Sequence, residues 1–194
     1  TGIRALDEAY EFRKGEIVTI QAGTGVGKTR VCNGMVYNSL LMGKNVLYLT
    51  LEQKSARVWA MQQARHALQL YGYKADITDK SILKRNFKVE HTGYVDTALD
   101  DLIANESYGR IRLESLNLQA NELTSKLINV WENGFHFDVV VIDYLGLLIT
   151  RGSTRYEALT DVVNDIKSDV KNFKGEGFLA VILNQLTKEA EQKI

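Results

Sequence analysis

The stretch Ala22-Gly23-Thr24-Gly25-Val26-Gly27-Lys28-Thr29 decides the fold class of this chain, because its residue types and spacing are typical of a phosphate-binding loop. It follows the apolar run Ile17–Ile20, which has the composition of a β-strand, and it leads into a helix-like segment. Three glycines allow the backbone to turn tightly and to direct several N–H groups into one concavity. Together with the N-terminus of the following helix, that concavity can bind a polyphosphate. The segment therefore predicts a site for a nucleoside triphosphate.

Individual residues of this loop have predicted roles. Lys28 is expected to reach the β- and γ-phosphates, and the Thr29 hydroxyl is expected to ligate Mg²⁺. The remainder of the loop, Ala22–Gly27, and the adjoining Arg30 complete the predicted nucleotide site. The strict pattern begins with Gly, where this chain has Ala22. The alternative interpretation is a glycine-rich turn between a strand and a helix that binds no ligand.

Composition and charge limit the class of protein. The 194 residues, of which 45% are apolar and 25% are charged, are typical of one globular domain. No apolar run reaches the roughly 18 residues that a membrane span needs, and the N-terminus lacks the pattern of a secretion signal, so no membrane partner is expected. The single cysteine, Cys32, is expected to be a small buried side chain in a reducing compartment. Because 24 basic residues balance 24 acidic ones, any contact with DNA must come from a few local loops.

Short apolar runs alternate with amphipathic segments along the chain, and this alternation predicts an α/β fold with a parallel sheet and right-handed crossovers. The predicted strands are Ile17–Ala22, Asn45–Leu51, Ile111–Leu116, Asp138–Asp143 and Phe178–Asn184. The predicted helices are Thr29–Leu41, Ser55–Tyr71, Ala120–Trp131 and Tyr156–Phe173. The more polar region Tyr73–Gly109 is expected to be an excursion with two short helices, around Lys80–Asn86 and Val95–Asn105.

Polar side chains follow several of the predicted strands, at the edge of an open α/β sheet where ligands bind. Asp143 ends the fourth strand and has the form of a Walker B aspartate for Mg²⁺, although such a residue can also cap a turn. Glu52 follows the second strand and is the candidate base for the attacking water, or alternatively a solvated first-turn residue of a helix. Gln185 follows the fifth strand and can sense the γ-phosphate or the water, unless it is a polar strand end without a ligand.

Two basic loops complete the set of candidate sites. The segment Thr150–Tyr156 contains Arg151 and Arg155 beside Gly and Ser, and Lys188 follows soon after Gln185. Arginine and tyrosine on a glycine-containing loop suit contact with single-stranded nucleic acid. An ordinary solvated turn has the same composition and is the alternative.

With these residues in view, nearly the whole chain resembles the RecA-like ATPase domain of the DnaB family of hexameric replicative helicases. Thr1-Gly2 with Leu6 looks like the opening of that domain, and the family's P-loop also begins with Ala. Leu49–Glu52 is similar to the family's segment with the catalytic glutamate. The segment Val141–Leu148 is close to its IDYLQLM run, with Gly146 in place of the usual Gln, and Leu183–Leu186 resembles its SQL motif. The last two segments are the specific ones within P-loop proteins.

The resemblance implies a P-loop NTPase fold with a largely parallel β-sheet flanked by helices on both faces. It implies ATP and Mg²⁺ as cofactors, with Lys28 and Thr29 on the triphosphate and metal, Glu52 as base, Asp143 as Walker B acid and Gln185 as sensor. It also implies a homo-hexamer around single-stranded DNA, with Arg151, Arg155 and Lys188 on pore loops. A primase or helicase loader is an implied partner, and the cytoplasm of a bacterial or phage-infected cell is the implied location.

By the same resemblance, residues 1–194 are expected to form a single ATPase domain without the family's N-terminal domain and without the final segment that holds its arginine finger. The substitutions in the motifs suggest a member from a phage or mobile element. The function expected first is a motor that hydrolyses ATP between subunits and unwinds DNA during replication. Two alternatives stay open: a RecA- or KaiC-like ATPase that does not unwind, and a nucleotide-binding helicase loader or inhibitor.

Overall fold

The computed structural model describes residues 1–51, 53–115, 120–147 and 155–185, with the backbone alone at 120, 147 and 155–162. Its strands are β1 (Ile17–Ala22), β2 (Val46–Thr50), β3 (Ile111–Ser115), β4 (Val139–Asp143) and β5 (Leu179–Gln185). Its α-helices are α1 (Arg4–Ala9), α2 (Lys28–Leu41), α3 (Ser55–Tyr71), α4 (Asp79–Lys84), α5 (Thr92–Ala104), α6 (Leu123–Glu132) and α7 (Arg155–Asn172). Short 3₁₀ turns lie at Val89–His91, Ala120–Glu122, Leu145–Leu147 and Phe173–Gly175.

The five strands form one sheet in the order β1-β5-β4-β2-β3, and every pair of neighbours is parallel. All carboxyl ends therefore lie along one edge of the sheet. The register pairs Ala22 of β1 with Gln185 of β5, and Thr50 of β2 with Asp143 of β4. The α/β class and the parallel sheet predicted from the sequence are confirmed, and the strand ends differ from the predicted ones by at most one residue.

Helices cover both faces of the sheet, which explains why the central strands are apolar almost throughout. On one face α2 and α3 pack on alternate residues of the strands. This core is formed by Cys32, Met35, Val36, Leu40, Val46, Tyr48, Val58, Val139, Val141, Val181 and Leu183. On the other face α6 and α7 pack on the remaining strand residues, in a core that includes Leu47, Leu49, Leu127, Val140, Ile142, Ile166, Val170, Ala180 and Ile182. The expectation that Cys32 is buried is confirmed, since it has 0% exposure.

The helix boundaries differ from the predicted ones by at most three residues, as at the start of α6 at Leu123 in place of Ala120, and one helix was not predicted. Helix α7 begins at Arg155, so Arg155 and Tyr156 belong to a helix and not to the basic loop predicted for Thr150–Tyr156. Helix α1 was not predicted, because none of its residues is buried and it therefore has no apolar periodicity to detect. Within the part of the chain that the structure describes, no helix is long and apolar enough to cross a lipid bilayer.

The excursion Tyr73–Gly109 contains α4 and α5, as expected, and both pack against α3. A buried polar chain ties these elements to the helix that follows the P-loop. The Tyr37 hydroxyl bonds to Nδ1 of His66 at 2.7 Å, and Nε2 of His66 bonds to Asp101 at 2.8 Å. Because a carboxylate only accepts, Nε2 donates to Asp101, and in the neutral imidazole Nδ1 then accepts from the Tyr37 hydroxyl. Burial raises the pKa of Tyr37 to about 12, so its hydroxyl remains a donor.

The hydrogen bonds of His66 give a test of how the helices are held together. Tyr37→Phe removes the only donor to Nδ1 that the described residues supply, and His66 is completely buried. We expect the free energy of unfolding to fall by about 1–3 kcal/mol, because a buried acceptor is left without a partner. Urea denaturation measures the change. Tyr73→Phe is the control, since Tyr73 is 79% exposed and should change stability by less than about 0.5 kcal/mol. Equal effects of the two substitutions would contradict this account of the His66 network.

Candidate nucleotide-binding site

The predicted P-loop connects β1 to α2, as its sequence requires. Gly25 and Gly27 have φ angles of +79° and +98°, a region of backbone conformation that glycine adopts without strain. Gly27 immediately precedes the first residue of α2, so the loop turns sharply into the helix. Val26 at the tip of the loop is 66% exposed. The loop thus has an open face at the N-terminus of a helix, where an anion is stabilised by free N–H groups and by the helix dipole.

Lys28 folds back over this loop in the structure. Its Nζ donates to the carbonyl oxygen of Ala22 at 2.6 Å and to that of Gly23 at 2.5 Å. These two carbonyls hold the ammonium group over the loop. Lys28 therefore has internal partners in this conformation of the protein. A contact between Lys28 and phosphates, as predicted, would replace these two bonds.

Gln185 at the end of β5 contacts the P-loop directly. Its Nε2 donates to Oγ1 of Thr24 at 2.5 Å. The parallel pairing of Gln185 with Ala22 places the two strand ends side by side, which is why a residue 161 positions away can reach the loop. The structure therefore brings together Gln185 and the predicted phosphate site.

Asp143 at the end of β4 is almost completely buried, with 1% exposure. The Tyr48 hydroxyl donates to its Oδ2 at 2.8 Å from the neighbouring strand β2. Burial, with further effects of Cys32 and Asp143, raises the pKa of Tyr48 well above its usual value. The phenol therefore stays protonated and fixes one oxygen of the carboxylate. Burial likewise raises the pKa of the Cys32 thiol, so Cys32 is a neutral packing residue beside this pair.

The turn after β2 is bonded to both the sheet and the P-loop helix. Thr50 Oγ1 donates to the carbonyl of Gln53 at 2.6 Å and accepts from the backbone N–H of Gln53 at 3.0 Å. Leu51 donates its N–H to the carbonyl of Asp143 at 2.7 Å. The Gln53 side chain donates from Nε2 to Oγ1 of Thr29 at 3.4 Å. Leu51 and Gln53 are therefore bonded to the sheet, and Gln53 is also bonded to the predicted metal ligand Thr29.

The remaining predicted site residues have these positions. Arg30 lies exposed in the first turn of α2. Glu52, Arg151 and Lys188 lie outside the described residues, and only the backbone of Arg155 is described. Their roles stay predictions.

Two residues of the site were not predicted from the sequence, namely Tyr48 and Gln53. Tyr48 lies in the middle of an apolar strand, where a tyrosine hydroxyl needs a buried partner, so its presence was a detectable signal. Gln53 gave no such signal, because its contact with Thr29 depends on how α2 lies beside β2.

The oxygen groups at this edge of the sheet fit a magnesium ion. Thr29 offers a hydroxyl and Asp143 a carboxylate, which are hard ligands of the kind that Mg²⁺ prefers. The described residues contain no group of three or more His, Cys, Asp and Glu side chains that could hold a metal. Such a group is not needed, because Mg²⁺ in P-loop sites completes its coordination with water and phosphate oxygens.

Comparison with known proteins identifies the family of this chain and proteins of similar fold. The family described as DnaB-like helicase C terminal domain matches residues 1–194. No curated protein matches the chain. One solved structure, of an ATPase domain, is similar with a TM-score of 0.75 and 22% sequence identity, over 98% of this chain and 64% of that one. The structure of a DnaB-like replicative helicase and its interactions with primase is similar with a TM-score of 0.66 and 20% identity, over 93% of this chain and 41% of that one.

This chain thus spans less than two thirds of the length of each of these two structures. Their similarity confirms the RecA-like α/β fold expected from the sequence.

The buried bond between Tyr48 and Asp143 gives a test of the site. Tyr48→Phe leaves Oδ2 of Asp143 without this donor, so the carboxylate is less firmly oriented. We expect Mg²⁺ affinity in the presence of nucleotide to fall by about 10- to 100-fold, as when other hydrogen-bond partners of metal ligands are removed. Thermal denaturation at a series of Mg²⁺ concentrations measures this affinity. Tyr37→Phe is the matched control, since it removes a buried hydroxyl that bonds to His66 and not to Asp143. An unchanged Mg²⁺ dependence in Tyr48→Phe would contradict a metal role for Asp143.

Proposed function

Because the chain belongs to the family of DnaB-like helicase C-terminal domains, we propose that it hydrolyses ATP and drives the unwinding of DNA. The family membership gives a helicase motor role. We add to this role the hydrolysis of ATP, translocation along single-stranded DNA and the residues that carry out these steps.

One observation carries the proposal: the P-loop, Gln185 and Asp143 come from the carboxyl ends of the adjacent strands β1, β5 and β4. A glycine-rich loop at a helix N-terminus supplies N–H groups for the phosphates. A buried carboxylate beside it supplies a ligand for the cation that accompanies a triphosphate. These parts, on neighbouring strands, support binding and hydrolysis of a nucleoside triphosphate over a simple structural turn.

The proposed mechanism assigns a task to each residue. Lys28 leaves the carbonyls of Ala22 and Gly23 and neutralises the charge on the β- and γ-phosphates. Thr29 and Asp143 would hold Mg²⁺, which would supply positive charge to the phosphate oxygens. Glu52 orients and deprotonates the attacking water.

Gln185 is proposed as the link between the nucleotide and the segment that follows β5. Its carboxamide bonds to Thr24 of the P-loop, and the chain continues from Gln185 toward Lys188. A carboxamide that exchanges Thr24 for the γ-phosphate or the water would shift the end of β5. Such a shift is a physical means by which hydrolysis can move a DNA-binding segment.

In the proposed assembly, six copies of the chain surround single-stranded DNA. Because the chain has no net charge, a single copy gives a phosphate chain little attraction beyond about 10 Å at moderate salt. Six copies of Arg151, Arg155 and Lys188 around a pore would concentrate positive charge where the DNA passes. A primase or a helicase loader is the proposed protein partner.

The base is tested with Glu52→Gln. We expect ATP binding to persist, because the phosphate and metal ligands are untouched, while turnover falls by about 100-fold or more. Binding of a fluorescent ATP analogue and release of phosphate measure the two effects, and a strand-displacement assay on the full-length protein measures unwinding.

Glu106→Gln is the matched control, because it removes an equal charge from an exposed position. Loss of ATP binding together with turnover would show that Glu52 is a ligand or a structural residue. ATP hydrolysis without strand displacement by the unmodified protein would favour a RecA- or KaiC-like ATPase. Absence of hydrolysis would favour a loader or inhibitor.

The DNA contact is tested with a variant that combines Arg151→Ala and Arg155→Ala. We expect weaker binding to single-stranded DNA and a salt dependence whose slope, log affinity against log salt, falls by about 1 or more. Fluorescence anisotropy at several salt concentrations measures both. The control combines Arg4→Ala and Arg13→Ala, which removes the same charge from two exposed residues that pair with Glu8 and Glu11. An affinity and slope equal to those of the parent would exclude this segment as the DNA contact.

A further inference from the structure

The Gln53 side chain extends from the segment after β2 to the predicted metal ligand Thr29. We infer that Gln53 is a positioning residue for the Thr29 hydroxyl, and that its carboxamide turns over when that hydroxyl binds the metal ion. The inference rests on the proposed function, because it takes Thr29 as a Mg²⁺ ligand.

The contacts of Gln53 are divided between two elements. Its backbone is bonded in both directions to Thr50, which ends β2 and is paired with Asp143. Its side chain donates from Nε2 to Oγ1 of Thr29 in the first turn of α2, over a long distance of 3.4 Å. Gln53 therefore links the Thr29 hydroxyl to the end of β2.

The other end of the same carboxamide has an unusual environment. Oε1 of Gln53 is fully buried, and none of the described residues gives it a hydrogen bond. A buried polar atom without a partner costs free energy that most native proteins avoid, so such an atom calls for an explanation. The explanation offered by the site is that Oε1 has a partner in a second state of the protein.

The chemistry of the Thr29 hydroxyl defines that second state. When the hydroxyl oxygen is free, it can accept from Nε2 of Gln53, as in this structure. When the same oxygen is a metal ligand, an N–H group pointing at it is repelled by the cation, and the hydroxyl is left to donate its proton. A half-turn of the carboxamide exchanges Nε2 for Oε1 and turns Gln53 from a donor into an acceptor.

The two orientations are close in energy within the protein itself, because each pairs one end of the carboxamide and leaves the other unpaired. The state of Thr29 therefore decides between them, as required of an element that a ligand can switch. Since Thr50 holds the backbone of Gln53 from both sides, the side chain turns while the backbone stays in register with β4. The orientation of the Gln53 carboxamide thus depends on whether Thr29 binds the metal ion.

The test compares nucleotide affinity with and without the metal ion in the full-length protein. A fluorescent ATP analogue is titrated in EDTA and in saturating Mg²⁺, and the ratio of the two dissociation constants measures the metal linkage. In Gln53→Met, which keeps the length of the side chain and loses both polar ends, we expect this ratio to fall by about five- to tenfold. The affinity in EDTA is expected to change by less than about twofold.

A second variant separates the acceptor role of the side chain at position 53 from its donor role. Gln53→Glu can only accept, so we expect its metal linkage to equal or exceed that of the parent. Its affinity in EDTA is expected to fall, because a carboxylate repels the phosphates when no cation lies between them. The rate of hydrolysis at saturating ATP and Mg²⁺ should be lower in Gln53→Met than in the parent, with the larger effect on kcat than on KM.

Gln62→Met is the matched control. Gln62 lies on α3, its Oε1 is also buried without a partner among the described residues, and its Nε2 bonds to Asn33 at 2.7 Å. We expect this variant to lose stability and to keep the parent's metal linkage. The inference would be overturned if Gln53→Met kept the metal linkage of the parent, or if the metal linkage fell equally in Gln53→Met and Gln53→Glu. Neither result would contradict ATP binding. Failure of the unmodified protein to bind the analogue would overturn the proposed function and the inference together.

Discussion

The constraint on which the rest of the structure depends is the parallel alignment of β1, β5, β4 and β2. Parallel strands end along one edge of the sheet, and the register pairs Ala22 with Gln185 and Thr50 with Asp143. The polar residues that follow or end these strands therefore meet without any long connecting segment. Because helices cover both faces, no polar side chain can lie within the sheet without a partner, and the chemistry is confined to its edge.

Beneath this edge lies a set of buried and partly buried hydrogen bonds that hold Asp143 and Gln53 in place. Tyr48 bonds to the nearly inaccessible Asp143, and Thr50 bonds twice to the backbone of Gln53. A buried carboxylate loses favourable hydration, and a hydrogen bond from a neutral phenol recovers part of it without adding a competing charge. The result is a fixed support under the loop over which Lys28 folds.

A similar pairing of buried polar groups links the helices. His66 has no exposed surface, yet both of its ring nitrogens are bonded, to Tyr37 of α2 and to Asp101 of α5. These bonds tie the excursion Tyr73–Gly109 to the helix that begins in the P-loop. The excursion is thereby part of the rigid framework around the nucleotide site, and its orientation is coupled to α2 through defined hydrogen bonds.

The sequence by itself determined the fold class, the positions of the strands and the P-loop. Strand runs such as Val139–Ile142 are apolar because they are covered on both faces, and a glycine-rich loop before Lys28 has few structural uses other than phosphate binding. It also predicted that Asp143 and Gln185 lie at strand ends. The order of the strands, the pairing of Tyr48 with Asp143 and the contact of Gln53 with Thr29 were decided by the tertiary structure alone. Periodicity reports which face of an element is buried, but it holds no information on which distant residue will lie opposite, because that depends on how whole elements pack.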